Sequence, residues 1–145
     1  MGQPRFLVLQ GAVRRPRGLP REAHGHNAVA WRLVSGNNRE LGRSAVYLWG
    51  SDACLEAIDS LTRALHRAQP RLSLSPDSGL WGWVLSLDGE PVAMSGRGYY
   101  REREARYSLD QFLVAAPAAD VSPGVRPVVW GADAVGSLAR TEGSR

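Results

Sequence analysis

Apolar residues recur along this chain with two periods, and the change from one to the other marks out its elements. Trp81, Trp83, Leu85 and Leu87 alternate with Gly82, Val84 and Ser86, which predicts a strand with one heavy face over 81–87. Asp88-Gly89 follows, a two-residue signal for a type I′ hairpin, and Pro91 to Ser95 is expected to return antiparallel. Ala105, Leu109, Phe112 and Ala116 are then spaced 4, 3 and 4 apart, one face of a helix. Pro117 stops that helix, expected over 101–116, and Ser108 with Gln111 offers a capping box that allows a later start.

The same succession occurs earlier in the chain. Trp31 and Leu33 precede Trp83 and Leu85 by 52 residues, Ser44 precedes Ser95 by 51, and the slipped residue falls in the intervening turn. Val29 to Ser35 and Arg39 to Ser44 read as strands around Gly36-Asn37-Asn38, since Asn accepts positive φ better than most residues. Cys54, Ile58, Leu61 and Leu65 repeat the 4, 3, 4 spacing 51 residues before the second stripe, and Ser51 is the expected N-cap. Arg5 to Gln10, Arg71 to Ser75 and Val125 to Trp130 also read as extended.

These readings give an α+β fold: two tandem, pseudo-symmetric ββ(β)α(β) repeats sharing one antiparallel sheet, with two helices packed on one face. Residues 1–130 form a single domain of two repeats, about 5–70 and 71–130, and 131–145 form a flexible C-terminal tail. One repeat alone exposes a sheet edge and a one-sided apolar face, which the second repeat covers.

Trp31-Arg-Leu, Asn37, Ser44 and Tyr47, and more closely Trp83-Val-Leu, Asp88-Gly89-Glu90, Ser95-Gly-Arg-Gly and Tyr99, resemble the YegP-like family of small bacterial and archaeal proteins. The resemblance covers about residues 30–65 and 79–116. It implies paired β(3)-α-β modules in one sheet, with exchanged terminal strands and the helices packed against it. Three departures fall in or before the first copy: Asn37-Asn38 in place of Asn-Gly, a shorter Ser44 to Tyr47 interval, and the insertion from Gly11 to Asn27. The family carries no established activity, so function is not transferred with the fold.

Composition alters this picture little. The 145 residues are 43% hydrophobic with five Trp, enough for a sizeable core, while 16 Gly and 9 Pro speak against a helical bundle. All 18 basic residues are Arg, so the formal charge of +4 partly reflects coding bias. Charge is nonetheless concentrated: Arg14, Arg15, Arg17 and Arg21 face only Glu22 within the insertion, and they are the candidate anion or nucleic-acid ligands. His24 and His26, with Cys54 or His66, lack the spacing of a structural zinc site, so neither metal nor cofactor is expected.

The single Cys54 excludes an internal disulfide and makes the cytoplasm the expected compartment, and no apolar run approaches the roughly 20 residues of a membrane helix. Ser44 and Ser95 lie outside any nucleophile elbow, and no acid, base and nucleophile set stands out. The expected function is a non-enzymatic interaction module, binding a protein partner or a second copy of itself. The alternative is a nucleic-acid binder using the Arg-rich loop.

Overall fold

The period-two run at 81–87 forms a strand with the bounds its alternation predicts, and the other elements fall within a few residues of their signals. A computed structural model of the chain describes residues 2–11 and 28–128. Chain order is β1 (Arg5–Gly11), β2 (Ala28–Val34), β3 (Glu40–Ser44), β4 (Leu48–Trp49), α1 (Ser51–Ala64), β5 (Gln69–Leu74), β6 (Trp81–Leu87), β7 (Glu90–Met94), α2 (Glu102–Ala115) and β8 (Asp120–Pro127). The strands join one sheet in the order β5-β6-β7-β3-β2-β1-β8, with β4 on the end of β2. The residues assigned to the Arg-rich loop and to the C-terminal tail lie outside the described residues.

The two hairpins match closely. Arg32 pairs with Arg43 and Val84 with Met94, and both ladders slip in the following step, after Leu33 in one and Leu85 in the other. Asp88 and Gly89 have φ of 52° and 84°, the geometry of the expected type I′ turn. In the first hairpin Asn38 N–H donates to Ser35 C=O at 2.9 Å and Asn38 has φ 66°, a three-residue loop. That one extra loop residue is the slip between the 52- and 51-residue offsets. The hairpins meet through β3 and β7, Arg43 opposite Met94 and Ser44 opposite Ala93.

Both helices pack on one sheet face. Cys54, Ile58 and Leu61 of α1 and Leu109 and Phe112 of α2 join Phe6, Trp31, Leu33, Trp83 and Leu85 in one buried cluster. Phe112 lies between the two tryptophans, 6.1 Å from Trp31 and 5.0 Å from Trp83, while Phe6 meets Trp31 edge-on at 5.3 Å. Such pairs contribute about 0.5–1.5 kcal/mol each beyond their buried area. Gly42 makes room for them, since a Cβ there would lie 2.6 Å from Phe112 and 2.9 Å from Trp83. On the other sheet face Leu7, Leu9 and Val34 form a second buried cluster with Val128 against it.

Three expectations are corrected. The sheet is not wholly antiparallel: β8 runs parallel to β1. The place beside β2 is already held by β1, so the strand that leaves α2 docks outside β1 and in β1's direction. The N-cap of α1 is Gly50, with φ 113° and no side-chain bond, and Ser51 is the first helical residue. Finally, α2 starts at Glu102, where Glu104 Oε1 accepts the Arg101 N–H at 3.2 Å, and Ser108 lies mid-helix rather than at a cap.

Candidate functional site

The repeated serines serve the backbone. Trp31 N–H donates to Ser44 Oγ and Trp83 N–H to Ser95 Oγ, each at 3.2 Å and each buried. A hydroxyl thus supplies the acceptor where the ladder's carbonyls end. Ser108 Oγ accepts the Trp83 Nε1–H at 3.0 Å, tying α2 to the sheet. Trp31 and Trp83 are core residues. Cys54 is fully buried and desolvation pushes its thiol from 9.0 to about 11, the state of an inert core cysteine.

Arg14, Arg15, Arg17 and Arg21 lie outside the described residues, as do His24 and His26. Among the described residues no group of three or more His, Cys, Asp or Glu is placed to hold a metal ion, and no helix is long and apolar enough to cross a membrane.

Two polar features were not legible beforehand. Glu40 is clamped by Arg32 Nε at 2.5 Å and by Arg43 Nη2 at 2.9 Å, and its carboxylate occupies the space that a side chain at position 96 would need. A side chain at position 96 would thus have to displace the Glu40 carboxylate, a group far away in sequence. Beside it, a depression of 330 Å³ is lined by Arg43, Ser73, Ser78, Gly82, Met94 and Arg97 among others. The Arg97 guanidinium lies 5.3 Å from the centre of the Tyr99 ring. Arg43, in contrast, is already paired with Glu40.

The sheet has two edges, and they differ. β8 carries Pro123 and Pro127, has Gly124 at φ 85°, and shifts register against β1, all of which obstruct a further strand. β5 pairs with β6 without a break from Gln69 opposite Ser86 to Leu74 opposite Trp81. Ser75 N–H donates to Leu80 C=O at 2.9 Å, which fixes the parity of that ladder. The alternate residues Pro70, Leu72 and Leu74 therefore turn their main-chain groups outward. Pro70 offers only its C=O, while Leu72 and Leu74 each offer N–H and C=O.

An apolar cleft adjoins this edge. It measures 510 Å³, lies at the C-terminal ends of the two helices, and is lined by Thr62, Leu65, His66, Ala68, Pro70, Leu85, Leu113 and Pro117. At the far end of the same strand Leu74 is 50% exposed. The strand was expected at Arg71 to Ser75 and forms at Gln69–Leu74; Pro70 could have announced its edge position, but nothing local announces the cleft beside it.

No protein-family model matches the sequence, and no curated protein matches it. Solved structures do match in fold. The solution structure of a UPF0339 protein from Shewanella oneidensis superposes with a TM-score of 0.59 at 8% identity, over 86% of this chain and 91% of the other. The solution structure of the protein of unknown function yegP from E. coli gives 0.61 at 11% identity, over 86% and 96%. The chain has the YegP-like fold, as its two tryptophan-led segments led us to expect.

Proposed function

We propose that this chain is a non-enzymatic, YegP-like interaction module made of two copies of one unit, and that it adds a partner strand along β5. The copy relation draws on the matched hairpin registers and on the serine bridges at Trp31 and Trp83. Each helix is followed by a strand, β5 after α1 and β8 after α2. Among the described residues one half thus has two strands outside its hairpin, β1 and β8, and the other has β5.

The observation that carries the reading is this unfilled place, beside a strand whose outward N–H and C=O groups have no partner among the described residues. Strand addition supplies main-chain bonds, and pockets for alternate side chains supply selectivity. The apolar cleft at Pro70 is such a pocket.

Affinity capture with the full chain and with Leu74→Asp tests this. Capture of a partner, or of further copies of the chain, that is lost with Leu74→Asp is the expected result. Equal capture by both proteins overturns the role of β5. A chain that captures nothing and does not self-associate overturns the module reading.

A further inference from the structure

Resting on that reading, we propose that the strand added to β5 is β5 of a second copy, antiparallel and centred on Leu72, with Leu74 of each copy seated at the apolar cleft of the other.

Which groups face outward limits the register, and the side chains select it. A two-fold axis at Leu72 pairs Leu72 with the partner's Leu72, so each N–H meets the other's C=O. It also sets Leu74 opposite the partner's Pro70, and the Leu74 N–H then reaches the one main-chain group that Pro70 offers, its carbonyl. The missing proline donor falls where it costs least, because the Leu74 carbonyl opposite it lies at the strand end, open to water. Moving the axis by half a residue sets outward residues opposite inward ones and forms no ladder; axes at Arg71 or Ser73 keep a ladder but carry Leu74 away from Pro70, and the axis at Arg71 sets the two Arg71 side chains directly opposite each other.

Side chains agree with this register. Residues whose main-chain groups face outward share one face of the strand, here the helix face, since Leu72 packs on the core and Pro70 lines the cleft. Cross-strand neighbours lie about 4.7–4.9 Å apart. Leu74, half exposed in the single chain, therefore arrives beside Pro70 of the other copy, at the mouth of a 510 Å³ cavity lined by Leu65, Ala68 and Leu113. The axis makes the contact reciprocal, knob into cleft twice, as an isologous interface requires. On the opposite face Arg71 meets the partner's Ser73, so no like charges stand directly opposite. A contact of one strand and two leucines is small, and a weak dimer with Kd on the order of 100 µM is expected.

Sedimentation equilibrium and disulfide trapping on the full chain test this. Arg71→Cys and Ser73→Cys chains, mixed in equal amounts with oxidised glutathione, are expected to give a covalent dimer containing one of each, because a non-hydrogen-bonded pair brings the Cα atoms to about 4.5 Å. Either variant alone is expected to give none, and the buried Cys54 does not compete. Leu74→Asp should raise Kd at least tenfold, whereas Leu55→Asp, at another exposed leucine, should leave it unchanged. The proposal is overturned by equal trapping of either variant alone, by a dimer indifferent to Leu74→Asp, or by a chain monomeric at 1 mM, roughly ten times that Kd. A monomeric chain that still captures a different protein through Leu74 overturns the second copy as occupant and leaves the module reading standing.

Discussion

Replacing Ser44 or Ser95 by alanine removes a hydrogen-bond acceptor and leaves its donor in place. In Ser44→Ala the Trp31 N–H loses its partner at 3.2 Å, and in Ser95→Ala the Trp83 N–H loses its own. The serines are 1% and 6% exposed, so bulk water does not take over. An orphaned buried donor costs about 1–3 kcal/mol, and the loss of one oxygen adds little cavity. Each variant is therefore expected to lose about 2 kcal/mol, or about 4–8 °C in Tm for a chain of this size. Urea unfolding followed by tryptophan fluorescence reads this as a drop in midpoint of about 1 M at unchanged slope. The exposed Ser73→Ala serves as control and should stay within about 0.5 kcal/mol.

The comparison between the two variants matters more than either value. If Trp31–Ser44 and Trp83–Ser95 are copies of one device, their losses should agree within about 0.5 kcal/mol. A variant that melts like the parent, or losses that differ threefold, would refute the claim that the hydroxyl serves the same purpose in both halves.

Gly42→Ala drives a methyl group into Phe112 and Trp83, both fully enclosed, so urea unfolding should show a loss of about 1–3 kcal/mol. Cys54 titrates in the unfolded chain near 9.0 and in the folded chain near 11, so its contribution to stability is complete below pH 9 and declines as pH rises toward 11. Cys54→Ala should remove that part of the decline, and a thiol reagent at pH 8 should label the parent only once it is unfolded. A polyanion-binding role for Arg14, Arg15, Arg17 and Arg21 requires salt-sensitive binding of labelled nucleic acid in fluorescence anisotropy. Replacing all four by Ser should then flatten the slope of log K against log salt by up to about 3.6, at about 0.9 per phosphate contact.

Elements whose signal is local were legible in the sequence. The alternation at 81–87, the Asp88-Gly89 turn and the two 4, 3, 4 stripes each carry their geometry within a few residues. β4 escaped because two residues have no period; Leu48 and Trp49 become a strand only by pairing with Val29 and Ala28. β8 was placed late, at 125–130, because Val121-Ser-Pro123-Gly124 reads as a turn. On a sheet edge the same residues form a bulge, where proline lacks no ladder partner and Gly124 takes its positive φ. Glu40 with Arg32, Arg43 and Gly96 was illegible for the opposite reason, since Arg32 reaches Glu40 across the β2–β3 hairpin and only the β3–β7 junction brings Gly96 beside them.

The direction of β8 bears on the candidate site. Two tryptophan-led hairpins alone would form an even sheet, each flanked by one further strand. Among the described residues there are three flanking strands rather than two, because β1 precedes the first hairpin and β8 follows the second helix. With β1 beside β2, β8 must become the outermost strand on that side, and it carries the prolines and the bulge that close an edge. β5 serves as the strand after α1 and also as the strand before β6, so among the described residues no further strand remains for its own flank. The open edge is thus a consequence of counting strands along the chain. Its sequence, Gln69-Pro-Arg-Leu-Ser-Leu74, carries one proline at its second position and no bulge, which leaves Leu72 and Leu74 free to accept a neighbour.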